Sequence, residues 1–154
     1  MPFTPKYYPN GPPVSESTTA LLSTFFCPAT ETIRRRQQTG RQTHRYVYAG
    51  NWTNVSPAPW LGAYHSSELP MLFGTHSDFR GASTQAEYAT SHAMQNAWLA
   101  FAKDPCNGLQ GQDWQVYDKL GSNEVREFGK DGVAAQDTSL EDLESRCNGA
   151  KVAL

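Results

Sequence analysis

The chain has 154 residues, a formal net charge of −2 and 38 % hydrophobic residues. This length favours one domain or part of a larger one. Seven Phe, seven Tyr and four Trp argue against disorder throughout, because disordered chains are poor in aromatic residues. The charge balance speaks against a nucleic-acid-binding protein, which would carry a strongly basic face. No apolar run approaches the ~20 residues that cross a bilayer, so we expect no membrane span.

The first half of the chain predicts a lead-in segment followed by two helices. Residues 1–17 hold five of the ten prolines and predict an extended lead-in without the features of a signal peptide. Residues 18–27 have a helical apolar pattern, and Pro28 is suited to begin a second helix that ends near Gly40. The basic cluster Arg34–Arg36, with Arg41 and Arg45, is expected to form a solvated surface.

The middle of the chain predicts a strand and two further helices. Arg45–Ala49 is short and rich in β-branched and aromatic residues, and it carries sizeable groups on both faces, as in a strand covered on both sides. A short helix is expected over Leu69–Gly74. A longer buried-face helix runs from a capping box, Thr84 with Glu87, to Lys103. Its predicted apolar stripe is Ala86, Ala89, Ala93, Ala97 and Phe101, with Met94 and Trp98 beside it.

The C-terminal part predicts one more strand, Glu124–Phe128, and a last helix with Ser139 and Asp142 as a second capping box. Two strands so far apart in sequence do not make an independently stable sheet. The hydrophobic pattern is therefore typical of the end of a larger domain.

Cysteines and glycosylation triplets give weak information on compartment. Cys27, Cys106 and Cys147 are an odd number without a CxxC pair, so a zinc site is improbable, and one disulfide with a leftover thiol is possible without an assignable pairing. Asn51-Trp52-Thr53 and Asn54-Val55-Ser56 are acceptor triplets that hint at secretion as part of a longer precursor, although Pro57 weakens the second.

The chemistry-bearing residues centre on His65. The sequence lacks a G-x-S-x-G elbow, a phosphate-binding loop and a zinc-binding H-E-x-x-H, and its four histidines are too scattered to suggest a metal site. We expect no cofactor and no metal. His65 lies between an aromatic-rich segment and the apolar run Leu69–Phe73, where either a catalytic base or a structural loop histidine is compatible with the residues.

Three segments in order, "PAPWLGAYHSSELPMLFG", "MQNAWLAFAKDPCNG" and "DWQVYD", resemble the C-terminal portion of type B carboxylesterases. This is the family of cholinesterases, carboxylesterases and fungal lipases. The resemblance covers about residues 24–147 and is nearest to fungal members. It implies an α/β fold, of which the chain would be a C-terminal fragment with several helices and only the last strands of the central sheet, over residues 18–154.

The resemblance assigns roles to residues of the His65 segment. It implies that His65 is the general base of a serine hydrolase triad and that Glu68 supports the histidine loop. Many relatives have glycine at the position of Ser66. Trp60 and Tyr64, with Trp52, are candidates for an acyl pocket, and packing of the loop is an equally good interpretation of these aromatic residues.

The triad implied by the resemblance is incomplete in this sequence. In α/β-hydrolases the nucleophile and the acid precede the histidine, yet the acids before His65 are only Glu16 and Glu31, and no serine lies in an elbow. We therefore expect a fragment that is inactive and poorly soluble alone. Its expected partners are an ester substrate and the missing N-terminal part of the hydrolase domain.

Two other classes of protein remain open from the sequence. The first is a non-catalytic interaction protein on the same scaffold, because a fold alone does not imply activity. The second is a cytosolic helical domain in which every resemblance reflects packing.

Overall fold

The computed structural model describes residues 22–117, 124–145 and 147. The lead-in predicted over residues 1–17 lies outside this range. The chain divides into two compact units. One unit contains the described residues up to Thr43, Tyr117 and those from Ser139 onward, and the other contains His44–Val116 and Glu124–Thr138.

The first unit is built on helix α1, Cys27–Gln38, which continues directly from a π-helical turn, Leu22–Phe26. The predicted separation of two helices at Pro28 is wrong. Pro28 is one of the first residues of α1, directly after the π-helical turn. The end near Gly40 is confirmed, and Gly40 has a φ of 68° in the left-handed region.

A disulfide and a buried hydrogen bond hold the first unit together. Cys27 is bonded to Cys147, which resolves the pairing, while Cys106 in the second unit is an exposed free thiol. Helix α4, Glu141–Ser145, contributes Glu144, whose carboxylate accepts a 2.7 Å bond from the Tyr117 hydroxyl. Ser139 Oγ accepts a bond from the Glu141 N–H, while the Asp142 side chain of the predicted second capping box lies outside the described residues.

The second unit contains a three-stranded sheet in the order β1-β2-β3: Tyr46–Tyr48, Glu124–Phe128 and Ala135–Ser139. Strands β1 and β2 are parallel, with Tyr48 opposite Phe128. The two predicted strands are therefore neighbours despite their distance in sequence. Strand β3 was missed because its sequence, AQDTS, has no apolar alternation.

Strand β1 is less covered than predicted. Tyr46 is 40 % exposed, and the next two residues are half-buried. The reason is that β1 is the edge strand of the described sheet and has one neighbour only. Arg45, predicted to be solvated, is buried just before β1, and its carbonyl accepts bonds from the Arg126 N–H and the Trp114 indole.

Helices α2, Leu69–Leu72, and α3, Gln85–Lys103, pack against each other in this unit. The capping box at Thr84 and Glu87 is confirmed, with both reciprocal bonds present. The predicted stripe on α3 is wrong in part, because Ala89 and Phe101 are exposed. The buried face is partly polar and consists of Glu87, Thr90, Ser91, Met94 and Ala97.

The polar groups on this face are only partly bonded, since Thr90 Oγ1 and Glu87 Oε1 are buried without a hydrogen-bond partner among the described residues. Ser91 donates a 2.6 Å bond to the Met71 carbonyl of α2, which satisfies both groups away from water. Around them lies an apolar core formed by Val55, Met71, Met94, Ala97, Leu109, Trp114 and Phe128.

Candidate functional site

His65 lies in a tight turn, Tyr64–Ser67, which we call the histidine turn. The Ser67 N–H donates to the Tyr64 carbonyl at 3.0 Å, so that His65 and Ser66 are the two central residues. Ser66 has a φ of 69°, in the left-handed region that favours glycine. The turn presents His65 at the surface, where its side chain is exposed.

Contacts on both sides hold the histidine turn in place. The Tyr64 hydroxyl donates to the Val55 carbonyl at 3.2 Å. Before the turn, Gly62 has φ 56° and ψ −139°, a conformation that residues with a Cβ avoid. After it, Ser67 is buried and α2 begins at Leu69, whose N–H donates to the Ser66 carbonyl at 3.2 Å. The position of His65 is thus set by residues packed around it.

An open cleft of about 560 Å³ lies at the carboxyl ends of β1 and β2, and we call it the β1–β2 cleft. In open parallel sheets this is the edge at which ligands bind. One wall of the cleft is formed by residues at the end of β1 and just after it, and a second wall by residues just after β2. Gly62 and Ala63 extend the lining toward the histidine turn. Its lining is Tyr48, Ala49, Asn51, Trp52, Gly62, Ala63, Gly129, Lys130, Asp131 and Gly132.

Tyr48 and Trp52 form one wall of the cleft. The indole N–H of Trp52 donates to the Tyr48 hydroxyl at 2.8 Å. Gly50 lies so close that a Cβ there would come within 2.5 Å of both groups, and a Cβ on Gly129 would come within 2.9 Å of the Gly50 Cα. Glycine at position 129 therefore allows the two strands' ends to approach, whereas a Cβ at Gly50 would displace the Tyr48–Trp52 pair.

Glu68 is half-buried and acts electrostatically on the tyrosines of β1. Burial raises the pKa of Tyr48 far above its ordinary value; the hydrogen bond from Trp52 opposes the increase and the Glu68 charge adds to it. Burial, and then Glu68, also raise the pKa of Tyr46. Burial and the Glu68 charge thus both raise the pKa values of the two tyrosines of β1.

The structure brings together only some of the residues singled out from the sequence. Trp52 lines the β1–β2 cleft, whereas Trp60 and Tyr64 are half-buried and do not line it. Their role in a pocket stays a prediction. The sequence did not indicate that Tyr48, Lys130 and Asp131 line a cleft. For Lys130 and Asp131, the available signal was their position between Gly129 and Gly132, directly after a predicted strand.

Of the other three histidines, His76 and His44 make polar contacts within the fold, whereas His92 is exposed on α3. His76 is 1 % exposed, and its Nδ1 lies 2.6 Å from Ser83 Oγ. His44 Nδ1 lies 3.1 Å from the Gln115 carbonyl. Among the described residues, no group of His, Cys, Asp and Glu is arranged to hold a metal ion. No helix in the same part of the chain has the length and apolar character of a membrane span.

Known proteins similar to this chain are esterases and lipases. A chlorogenic acid esterase of Aspergillus niger is 54 % identical over 86 residues, which is 56 % of this chain and 17 % of the relative. Secreted lipase 5 of Gibberella zeae is 48 % identical over 57 % of this chain and 16 % of its own length. The acetylcholinesterase of Gallus gallus is 27 % identical over 62 % of this chain and 13 % of the relative.

These matches cover less than a fifth of each relative. The model of the carboxylesterase family matches residues 13–145, which is most of the chain. The interpretation as an unrelated helical domain is therefore wrong. With its parallel strands, the histidine turn and this match, the chain belongs to the carboxylesterase family.

Proposed function

We propose that this chain is the C-terminal segment of a serine carboxylic-ester hydrolase and that His65 is its general base. The observation that carries the proposal is the place of His65, exposed in a tight turn that directly follows Gly62 and Ala63 of the cleft lining, within the family match. In this role His65 takes the proton of the serine as it attacks the ester carbonyl. It then returns the proton to the leaving alcohol.

The nucleophile and the acid would come from residues outside these 154. Glu31, one of the two acids that precede His65, is paired with Arg35 at 3.0 Å on the surface of α1. Glu16 lies outside the described residues. An imidazole without a positioned serine and oxyanion donors lacks the largest contributions to acyl transfer, each donor being worth ~10²–10³ in rate. The isolated chain should therefore be inactive.

The surroundings of the histidine turn support a partner segment there. Ser67 Oγ is buried without a hydrogen-bond partner in the described part of the chain, which is costly unless another group supplies one. Helix α2 also exposes Leu69, and Phe73 directly after it is 71 % exposed. We infer that the remainder of the hydrolase domain covers this face, and that Glu68 supports the turn from the other side.

The test uses the complete gene product that contains this chain, with a p-nitrophenyl ester as substrate. We expect His65→Gln to lower kcat by about 10⁴–10⁶-fold, because the base is lost while ester binding remains. The matched control is His92→Gln on the exposed face of α3, which should retain full kcat. Equal kcat in the two variants would contradict the role of His65.

A second measurement treats the isolated chain with a fluorophosphonate, which captures activated serines. An unchanged intact mass is expected. A single adduct would overturn the claim that the nucleophile lies elsewhere. Peptide mapping would then examine Ser83, which lies 2.6 Å from His76 Nδ1. A complete gene product without a serine elbow and without fluorophosphonate labelling would favour the non-catalytic interaction protein instead.

A further inference from the structure

We propose that Asn51 carries an N-linked glycan at the rim of the β1–β2 cleft, and that the neighbouring acceptor Asn54 carries none in the folded protein. Both asparagines lie in N-x-[ST] triplets, and the sequence does not say which one is used. The structure separates them by accessibility. This inference is independent of the proposed catalytic role.

The first triplet is open to solvent. Asn51 and Thr53 are both exposed, and Asn51 lies in the irregular segment that follows β1. A glycan needs an acceptor amide on a surface loop with space beyond it. Asn51 borders an open cleft of about 560 Å³, so a glycan there displaces no packed side chain.

The second triplet is part of the folded interior. Asn54 is 6 % exposed, and its amide donates to the His76 carbonyl and to Ser83 Oγ, each at 3.1 Å. The Ser56 hydroxyl is also buried and donates to the Ala58 carbonyl at 2.6 Å. A glycan added to Asn54 in the unfolded chain would prevent these contacts from forming. Molecules that fold should therefore carry Asn54 unmodified.

A separate observation indicates the compartment in which such glycans are added. Cys27 and Cys147 form a disulfide, and disulfides persist in oxidising compartments such as the secretory pathway. A chain oxidised there meets the glycosylation machinery as well. The disulfide lies in the first unit and the exposed triplet in the second, so they are independent indications.

The proposal has a consequence for the cleft. A glycan on Asn51 can remain only where that rim faces solvent in the assembled protein. The remainder of the hydrolase would then cover the face of the histidine turn and α2, while leaving the Asn51 side of the cleft open.

The experiment secretes the complete gene product from yeast and selects folded protein by gel filtration. Peptide N-glycosidase in heavy-oxygen water converts each glycosylated Asn into labelled Asp, which peptide mass spectrometry locates. We expect label at position 51 in most molecules and none at position 54. An unlabelled position 51, or label at position 54 in the folded fraction, would overturn the proposal.

Three variants serve as controls. Thr53→Ala destroys the first acceptor triplet and should abolish the label at position 51. Asn51→Gln should do the same if Thr53→Ala is not secreted. Pro57→Ala removes the proline that weakens the second triplet, and because Asn54 stays buried, folded Pro57→Ala should remain unlabelled at position 54. Label there would show that the proline, not burial, protects Asn54, and would contradict the argument.

Discussion

His65 lies in a turn whose backbone depends on its neighbour. Ser66 has a φ of 69°, a conformation that costs a residue with a Cβ about 1–2 kcal/mol. Glycine adopts this conformation without that cost. Its greater conformational freedom in the unfolded chain, however, lowers the free energy of unfolding by about 0.5–1 kcal/mol. The serine leaves the turn in place at the expense of local strain.

We expect Ser66→Gly to stabilise the complete gene product by about 0.5 kcal/mol, because the gain from relieving the strain exceeds the entropic loss. The urea unfolding midpoint measures the change. Ser66→Ala is the matched control: it retains the Cβ and should give no increase. Equal midpoints for both variants would show that the strain is negligible.

The tyrosine of the cleft wall predicts a pH dependence. The raised pKa of Tyr48 keeps its phenol neutral in the folded state at pH values where the unfolded chain, with an ordinary pKa of 10.0, loses the proton. The unfolded state then binds fewer protons, so the free energy of unfolding should fall as pH rises above 10.0.

Urea midpoints from about pH 9 to about pH 11 measure this effect. Tyr48→Phe removes the titrating group and should give a flatter decline than the wild type, even if its stability at neutral pH is lower because the Trp52 indole loses its acceptor. Parallel declines would contradict the assignment to Tyr48.

At the scale of elements, the clearest sequence signal of α3 is the capping box at its N-terminus. Its buried face includes Thr90 and Ser91 beside Met94 and Ala97, so hydrophobic periodicity alone does not place it. The capping box fixes where the helix begins, and the bond from Ser91 to the Met71 carbonyl fixes which side meets α2. The cap therefore carries part of the stability of the α2–α3 pair.

We expect Thr84→Ala to lower the free energy of unfolding by about 1 kcal/mol, because the Glu87 N–H loses its acceptor. Thr84→Ser retains the hydroxyl and should restore most of the loss. Gln85→Ala, at an exposed position of the first turn, controls for helix propensity. A loss equally large in Thr84→Ser would point to the methyl group rather than the cap.

At the scale of the whole molecule, the chain forms two units whose segments are widely separated in sequence. The disulfide between Cys27 and Cys147 closes a loop with a sequence separation of 120 residues in the first unit. Cross-links over long loops restrict the unfolded chain most.

The double variant Cys27→Ser/Cys147→Ser should lose about 2–5 kcal/mol of stability. The control is Cys106→Ser, which changes an exposed free thiol and should leave the urea midpoint unchanged. The same midpoint for the double variant and the control would mean that the cross-link contributes nothing to stability.

Several features were predictable because their signals are local. Helix α3 was found from Thr84 and Glu87, since a capping box is a contact between near neighbours in sequence. Strand β2 was found from its short apolar pattern. The resemblance to the carboxylesterase family lay in three segments of the chain, one of them around Trp60, His65 and Glu68, and the family match over residues 13–145 confirms it.

Other features were decided only by tertiary structure. The parallel pairing of β1 with β2 places Tyr48 opposite Phe128, two residues that are distant in sequence. A local sequence pattern does not predict a pairing between such distant segments. Strand β3 has a polar sequence and is held by its neighbour, including the 3.2 Å ion pair of Arg126 with Asp137.

The site divides in the same way. The sequence by itself determined that His65 is the candidate general base and that Asn51 and Asn54 both lie in acceptor triplets. Tertiary structure decided that His65 is exposed in a strained turn, that the β1–β2 cleft takes its second wall from Gly129–Gly132, and that Asn54 is buried. The physical reason is that burial and approach depend on contacts between distant segments, whereas residue chemistry and local turns are encoded by adjacent residues.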